Sequence, residues 1–336
     1  MRVGLVGAGG VGRKRAAAIA AHPGSSLVAV CDVDAAAAAQ VAGACAARTV
    51  PRWEAVIDDP GTDAVVVATT HDALSGISVA ALRAGKHVLC EKPVGRTPAE
   101  VAAVEAAAAA SRRCFRAGYN HRFHPAVARL QQAAAAGELG PLLWVRGRYG
   151  HGGRPGYERE WRGDPERAGG GELMDQGAHL IDLSLWLLGD FAAVSGRVAT
   201  AYWAVAPLED NAFGTFRTAA GQVAHLHASW TQWRNLFSLE VCGRDGYGVA
   251  EGLGGSYGAE SLRLGRRRPE GGAPEEERLD FAGEDPSWRL EWADFLAAVG
   301  GAPGRGAGPA EARRTMEWIH RLYRASATGC EQRAGA

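Results

Sequence analysis

Asp175 and His179 are the residues whose types and spacing most directly suggest chemistry. They lie four positions apart within the segment Gly171 to Asp182, which we expect to be helical. Because side chains four residues apart share one face of a helix, both groups can converge on one hydroxyl group. The unperturbed pKa of histidine lies near neutrality, so His179 fits a general base. Asp175 would orient the imidazole or hold a second hydroxyl.

A glycine-rich turn near the start of the chain predicts a nucleotide-binding site. It directly follows an apolar strand and opens a helix. Gly7 permits the tight turn, Gly9 permits a pyrophosphate to approach the backbone, and Gly12 permits close packing of helix and strand. The residues of the turn that we expect to bind the cofactor are Gly7, Gly9, Gly10, Val11 and Gly12.

Asp32 indicates which dinucleotide binds there. It ends the second predicted strand, twenty residues after Gly12. A carboxylate at this position accepts a hydrogen bond from the ribose 2′-hydroxyl and repels a 2′-phosphate, which favours NAD over NADP. The basic cluster Arg13, Lys14 and Arg15 argues in the other direction, because it would offset a 2′-phosphate.

The composition is that of a neutral globular protein. Of 336 residues, 47% are hydrophobic and 22% charged, and 37 basic residues balance 37 acidic ones. Such a chain has no overall field to attract nucleic acid or an anionic membrane, so we expect neither as a partner. The scattered cysteines and the short N-terminal apolar run predict a cytoplasmic protein with reduced thiols. We expect no metal site, because His225 and His227 alternate on a strand without an acidic or cysteine companion.

Two domains are expected from the length and from a change in pattern near residue 120. Residues 1–120 alternate short apolar strands with alanine-rich helices, which predicts a Rossmann domain with a doubly wound parallel sheet. Residues 121–336 predict an α+β substrate-binding domain with a large, mostly antiparallel open sheet. Residues 265–277 are expected to form a solvated loop, and two C-terminal helices are expected to pack back across the domains.

The open sheet also predicts self-association. Trp144, Trp203, Trp230 and Trp233 lie in or beside its strands, where they fit either a core under helices or a subunit interface. Because the second face of such a sheet needs a cover, we expect a homo-oligomer, either a dimer or a tetramer, formed through the C-terminal sheet.

Several motifs, in the same order along the chain, resemble the glucose-fructose oxidoreductase, inositol dehydrogenase and rhizopine-catabolism family, known as Gfo/Idh/MocA. The matching pieces are Gly7-Ala-Gly9, Ala84-Gly-Lys-His-Val88, Glu91-Lys-Pro93, Gly118-Tyr-Asn-His-Arg-Phe123, Trp161-Arg162 and Ala168 to Asp182. The chain departs from the family at Thr69-Thr70-His71, where the common pattern is Thr-Pro-Asn, so His71 stands near the place of an asparagine.

The resemblance implies that a hydroxyl is oxidised by hydride transfer to a nicotinamide, with Lys92, Asp175 and His179 as catalytic residues. Lys92 would place a cation beside the oxygen that loses its proton. The implied cofactor contacts beyond the glycine turn and Asp32 are Thr69, His71, Glu91, Lys92, Asn120, Trp161 and Arg162. The implied substrate contacts are Lys92, Arg122, Tyr149, Asp175 and His179. Arg162 fits either a pyrophosphate contact or an interdomain ion pair, and Asp182 fits either the face of His179 or a solvated or capping position.

The resemblance further implies a sugar or cyclitol as substrate and a ketone as product. Alanine-, glycine- and arginine-rich runs are typical of a GC-rich genome. Together with the resemblance to tailoring members of the family, they favour oxidation at C3 of an aminoglycoside sugar, before transamination, in antibiotic biosynthesis. The alternatives are a catabolic inositol or glucose dehydrogenase, a nucleotide-sugar 3-dehydrogenase and, in another class, a non-catalytic NAD-binding regulator. Six arginines and four acids between Trp144 and Arg167 favour neither a phosphate-bearing nor a cationic substrate.

Overall fold

The computed structural model describes residues 1–335, which divide into two compact units. One unit comprises residues 1–120 and 287–316, and the other comprises residues 121–286 and the chain from 317 onward. We expected all of 121–336 in the second domain, whereas residues 287–316 are grouped here with the first unit. Each unit is described by itself.

The first unit is built on a parallel sheet whose strands alternate with helices. Its strands are β1 (Arg2–Val6), β2 (Ser26–Cys31), β3 (Arg48–Thr49), β4 (Ala64–Val67), β5 (His87–Glu91) and β6 (Phe115–Gly118). Its helices between strands are α1 (Gly10–Ala20), α2 (Ala35–Ala44), α3 (Trp53–Ile57), α4 (His71–Arg83) and α5 (Pro98–Ser111). Within residues 1–335 this sheet has six strands, in the order β3-β2-β1-β4-β5-β6, and all are parallel.

The doubly wound prediction is confirmed, and its physical basis is the burial of whole strands. Every residue of β4 is buried, as a strand covered by helices on both faces requires. The strand order reverses between β1 and β4, and ligands of such sheets bind beyond the carboxyl ends of the strands at that switch point. The elements β3 and α3 were absent from the sequence prediction because two and five residues are too short to show a period.

The second unit is built on a large open sheet. Its strands are β7 (Leu142–Gly150), β8 (Phe191–Ala199), β9 (Asn211–Thr218), β10 (Val223–Ser229), β11 (Leu236–Gly243), β12 (Gly246–Glu251), β13 (Glu260–Arg266), β14 (Glu275–Phe281) and β15 (Gln332–Arg333). Its α-helices are α6 (Pro125–Ala135), α7 (Pro165–Ala168) and α8 (Ala178–Leu188). In the described part of the chain the sheet has nine strands, and only the pair β7 and β10 is parallel. The predicted antiparallel sheet is therefore confirmed.

One face of this second sheet carries helices. A Cβ atom added to Gly147 of β7 would lie 3.0 Å from Leu180 of α8, and one on Gly248 of β12 would lie 2.3 Å from Leu130 of α6. Glycine therefore allows each helix to lie close to the strands. On the opposite face the side chains of Arg146 and Phe213 are exposed.

Helices α9 (Ser287–Val299) and α10 (Pro309–Thr328) complete the structure. Trp292 and Phe295 of α9 are each 1% exposed and pack in the core with Leu5 and Ile19 of the first unit. This burial explains why residues 287–316 belong to that unit. The boundary between the units falls inside α10.

The prediction of a solvated loop over residues 265–277 is wrong at both ends. The strands β13 and β14 pair across it, so that only residues 267–274 lie between them. The error arose because β14 is a mostly exposed edge strand, and charged side chains on such an edge prevent it from pairing with other chains. Its polar sequence therefore resembles that of a loop.

Candidate active site

The turn between β1 and α1 has two glycines that the fold itself requires. Gly7 has a φ of +99°, and a Cβ there would approach the carbonyl oxygen of Ala68 to 2.3 Å. A Cβ on Gly12 would lie 2.0 Å from the carbonyl oxygen of Gly7. Both positions therefore exclude a side chain, whether or not a ligand is bound.

Gly9 and Gly10 are different, because protein packing does not require them to be glycine. Both are exposed, and a Cβ added to either would meet no protein atom within 4 Å among the residues described. They stand at the N-terminus of α1, where backbone N–H groups and the helix dipole favour an anion. The open space over a glycine pair at this position fits a dinucleotide pyrophosphate.

Asp32 is held at the carboxyl end of β2 by the backbone. Its Oδ2 accepts a hydrogen bond from the N–H of Ala8, and its Oδ1 accepts one from the N–H of Asp34 at 2.8 Å. These bonds fix a carboxylate beside the glycine turn, in the position that suits a ribose hydroxyl and disfavours a 2′-phosphate.

Arg15, which the sequence left as a candidate for offsetting a 2′-phosphate, is occupied elsewhere. It is 1% exposed, its Nε donates to Glu91 Oε1 at 2.6 Å, and its Nη1 donates to Glu291. Burial raises the pKa of Glu291 to about 7. Glu91, predicted as a cofactor contact, thus takes part in a buried ion group that joins α1, β5 and α9.

The other predicted residues of the first unit lie after its strands. Lys92 follows β5 directly, is partly buried, and precedes Pro93 through a cis peptide bond. His71 is 4% exposed at the start of α4, and the Thr69 hydroxyl donates to the carbonyl of Thr70 at 3.2 Å. Asn120 Nδ2 donates to Ser287 Oγ at 2.9 Å. These groups lie after β4, β5 and β6.

In the second unit Asp175 lies in a π-helical turn, Leu173–Gly177, that runs directly into α8. The sequence predicted a regular α-helix here, whereas the structure has the wider turn of a π-helix. Asp175 is 7% exposed, and its Oδ2 accepts a hydrogen bond from Arg162 Nε at 2.8 Å. Arg162 also stacks over Trp161, with its guanidinium carbon 4.4 Å from the ring centre. The ion pair gives the Asp175 carboxylate a defined orientation.

Glu209 holds the start of that turn. Its carboxylate accepts hydrogen bonds from the N–H of Gly171 at 3.1 Å, the N–H of Leu173 at 3.0 Å and the hydroxyl of Tyr323 at 2.8 Å. Burial raises the pKa of Glu209 above its usual value. A Cβ on Gly171 would lie 1.9 Å from the Glu209 carbonyl oxygen, so the chain can approach Glu209 only with glycine there.

His179 lies in a buried polar and aromatic cluster. It is 5% exposed, and its ring stacks on that of His121 with centroids 3.7 Å apart. Tyr149 lies 5.0 Å from His121 and 5.3 Å from Tyr257, measured between ring centroids. Gln176 Nε2 donates to the Tyr257 hydroxyl at 3.0 Å. Within one unit the cluster therefore offers an imidazole base and hydroxyl and amide groups that can bind a polyol.

Burial governs the protonation of the groups around this cluster. It raises the pKa of Tyr149 well above the usual tyrosine value and raises that of Tyr257 to about 12, so both hydroxyls keep their protons. It lowers the pKa of His151, whose Nδ1 accepts a hydrogen bond from the N–H of Gly153 at 3.0 Å. The cluster thus offers hydroxyl donors, and His151, on which Asp175 acts electrostatically, favours its neutral form.

Arg122 and Asp182 form a buried pair, which the sequence did not suggest. They are 2% and 1% exposed, and Arg122 donates through Nε and Nη2 at 2.8 and 2.6 Å. The solvated or capping position considered for Asp182 is therefore wrong. Arg122, predicted as a substrate contact, therefore forms a bidentate ion pair with Asp182.

Sequence reasoning missed His121, Gln176, Tyr257 and Glu209. His121 and Gln176 lie inside motifs that the sequence analysis had already identified, so they could have been predicted from their neighbours in those motifs. Tyr257 belongs to a glycine-rich loop and Glu209 to a loop after β8, and neither has a local pattern that marks it. Among residues 1–335, no group of three histidine, cysteine or acidic side chains is arranged to hold a metal ion.

Comparison with known proteins defines the class. Residues 1–119 match the model of the oxidoreductase family with an NAD-binding Rossmann fold, and residues 127–248 match that of the GFO/IDH/MocA C-terminal domain. The chain belongs to the Gfo/Idh/MocA oxidoreductase family, and its first unit contains the family's NAD-binding Rossmann domain. None of the helices in the described residues is long and apolar enough to cross a membrane.

Individual relatives extend the comparison. A levoglucosan dehydrogenase of Pseudarthrobacter phenanthrenivorans is 33% identical over 235 residues, or 66% of this chain and 60% of that protein. Inositol 2-dehydrogenase 4 of Saccharopolyspora erythraea is 37% identical over 206 residues, 59% of this chain and 57% of that protein. The matches thus span about three fifths of these relatives.

Solved structures agree over the whole fold. Levoglucosan dehydrogenase in complex with NADH and levoglucosan gives a TM-score of 0.89 at 23% identity, and all of both chains is covered. GenD2 from gentamicin A biosynthesis, in complex with NAD, gives a TM-score of 0.86 at 25% identity and covers 100% of this chain and 97% of its own.

The two kinds of glycine in the turn should behave differently when replaced. We expect Gly9→Ala to unfold at the same denaturant concentration as the native protein but to bind NADH at least about tenfold more weakly, because its methyl group projects into the pyrophosphate space. Gly12→Ala should lower the unfolding midpoint itself, since the methyl group collides with backbone. Denaturant titration measures the unfolding midpoint of each variant, and NADH fluorescence measures its affinity for NADH. Equal NADH affinity in Gly9→Ala and native protein would contradict this assignment.

Proposed function

We propose that this protein oxidises a secondary hydroxyl of a sugar or cyclitol to a ketone, with NAD as hydride acceptor. The observation that carries the proposal is the buried cluster around His179, which combines an imidazole, an oriented carboxylate and hydroxyl groups in one unit of an NAD-binding oxidoreductase. The levoglucosan and inositol dehydrogenases among the relatives support a polyol as substrate.

Each residue is assigned one task. When bound, NAD⁺ accepts a hydride from the carbinol carbon. His179 removes the hydroxyl proton, and the Lys92 ammonium stabilises the negative charge that develops on the oxygen. Asp175, oriented by Arg162, accepts a hydrogen bond from a neighbouring hydroxyl of the substrate. Tyr149 is assigned to substrate binding through its protonated hydroxyl.

For the substrate we propose an amino sugar, oxidised at C3 as a step of aminoglycoside biosynthesis. Two observations favour a cation over a phosphate. Buried Glu172 and Asp175 both act electrostatically on Tyr149, so two carboxylates lie near the cluster, and Arg162 offsets the charge of Asp175. Four of the six arginines between Trp144 and Arg167 form ion pairs with acids, namely Arg146, Arg154, Arg159 and Arg162. The likeness to GenD2 supports the same class, and a catabolic inositol or glucose dehydrogenase is the alternative that the inositol dehydrogenases favour.

We also propose that copies associate through the outer face of the second sheet. Phe213 is 43% exposed there and stacks on His227, with centroids 4.2 Å apart. Trp144 of β7 is half-buried on the same face. Of the other tryptophans considered above, Trp230 is a core residue and Trp233 is 65% exposed. Exposed aromatic groups on an uncovered sheet are typical of an interface.

The cysteines support a reducing, cytoplasmic location, which we propose as well. All six lie in the described part of the chain, and each is a free thiol. Burial raises the pKa of the Cys90 thiol to about 12, which keeps it protonated and unreactive. In an oxidising compartment, selection favours disulfide frameworks over scattered thiols.

The substrate proposal is tested by NADH formation from a panel that contains myo-inositol, glucose, levoglucosan, a kanamycin-type aminoglycoside and a UDP-sugar. We expect the aminoglycoside to give the highest kcat/KM. His179→Gln should lower that value by roughly a hundredfold or more while NADH binding stays unchanged, because the base is lost and the cofactor unit is untouched. His22→Asn, in a turn of the first unit, is the matched control and should keep full turnover.

The outcomes separate the competing functions. A highest rate with myo-inositol or glucose supports the catabolic alternative, and a highest rate with the UDP-sugar contradicts the charge argument. NADH binding without turnover of any member supports a non-catalytic regulator.

Association is tested by light scattering at micromolar concentration. We expect an oligomer that Phe213→Asp shifts toward smaller species, because a carboxylate in an apolar interface is costly. Leu290→Asp is the matched control, since Leu290 is 40% exposed on α9. A native protein that is monomeric contradicts the proposed interface.

A further inference from the structure

The stacked pair of His121 and His179 has a consequence for the charge of the base. The two rings are inclined by only 26°, their centroids are 3.7 Å apart, and both residues are 5% exposed. His121 comes from the short 3-10 helix Asn120–Phe123, and His179 comes from the first turn of α8. Two separate elements therefore place two titratable imidazoles face to face with little water between them.

The groups around the pair can be named element by element. From β7, Tyr149 lies 5.0 Å from His121 and 6.1 Å from His179 between centroids, and its own surroundings include Tyr257, Glu172 and Asp175. Beside α6, His124 lies 5.5 Å from His121. His124 Nδ1 lies 3.0 Å from Glu260 Oε2 on β13, and its Nε2 lies 3.8 Å from Asp285. The ring of Phe237, with its centroid 5.6 Å from that of His121, is uncharged.

Protonation of both rings is disfavoured in this arrangement. Like charges that face each other at van der Waals distance in a buried site repel strongly, and such pairs give up their protons in two separate steps. The first proton therefore binds the pair at higher pH than the second. Glu260, through His124, adds negative charge to the surroundings of His121, which favours a proton on the His121 ring.

We propose that His121 is a positioning residue that keeps His179 in its neutral, proton-accepting form at neutral pH. The inference rests on the proposed function, in which His179 is the base. A base that is already protonated cannot take the substrate's proton, so the stack extends the working range of the enzyme toward acid. His121 also holds the imidazole plane of His179 by contact, which fixes the direction in which its nitrogens point.

The test is an NMR titration of histidine-labelled protein, with His121→Phe and His121→Asn as the variants. In His121→Phe a neutral ring keeps the stack, so the pKa of His179 should rise by about one unit or more from its native value as the repulsion disappears. His121→Asn removes both ring and charge and should raise it similarly. His22→Asn should leave the titration of His179 unchanged.

The pH dependence of activity provides a second measurement of the same shift in the pKa of His179. The acid limb of the pH profile of kcat/KM should move to higher pH in both variants, whereas a loss of packing alone would lower the profile without moving it. If His179 titrates as in the native protein in His121→Phe, the inference is wrong, even if His121→Asn differs. Absence of turnover with every substrate would contradict the proposed function, but the NMR titration would still decide the inference.

Discussion

The buried carboxylate of Glu209 is the contact on which the geometry of the second unit depends. It accepts hydrogen bonds from the N–H groups of Gly171 and Leu173, at the start of the π-helical turn, and from the hydroxyl of Tyr323. Without such an acceptor, these buried donors would lose their hydrogen bonds on folding, at a cost of about 1–3 kcal/mol each. The position of Asp175 follows from this anchor, because it lies two residues beyond Leu173. His179 is then placed by α8, which continues the turn without a break.

A different constraint organises the first unit. Arg15, Glu91 and Glu291 join the helix after the glycine turn, the strand before Lys92 and the helix α9 in one buried ion group. Buried ion groups of this kind contribute little net stability, but breaking one is costly because a charge is left unpaired. The ion group serves to position these elements, since it connects the helix after the glycine turn to the strand that ends just before Lys92. It also removes Arg15 from the groups able to neutralise a 2′-phosphate, which agrees with Asp32 in favouring NAD.

Features determined locally could be predicted from the sequence, and features determined by distant partners could not. The glycine turn, Asp32 and the apolar strands of the first sheet are local, and they predict a doubly wound NAD-binding fold correctly. The spacing of Asp175 and His179 predicts a catalytic pair, which stays a prediction. The π-helical turn could not be predicted, because it depends on Glu209, 36 residues after Leu173. The buried ion pair of Arg122 and Asp182 was not predicted because its members are 60 residues apart in the sequence. Strand β14 was not predicted because it carries the charged side chains of an edge strand. In each case the deciding interaction lies outside the window that a sequence pattern covers.

In the proposed reaction the imidazole of His179 takes the proton of the substrate hydroxyl. Chemical rescue tests it directly: turnover by His179→Ala is measured as imidazole is added, at a series of pH values. We expect a large loss of turnover in the variant, followed by recovery that grows with imidazole concentration and follows the unprotonated fraction of imidazole as pH changes. Full turnover by His179→Ala without imidazole, or recovery that follows the protonated form, would contradict it.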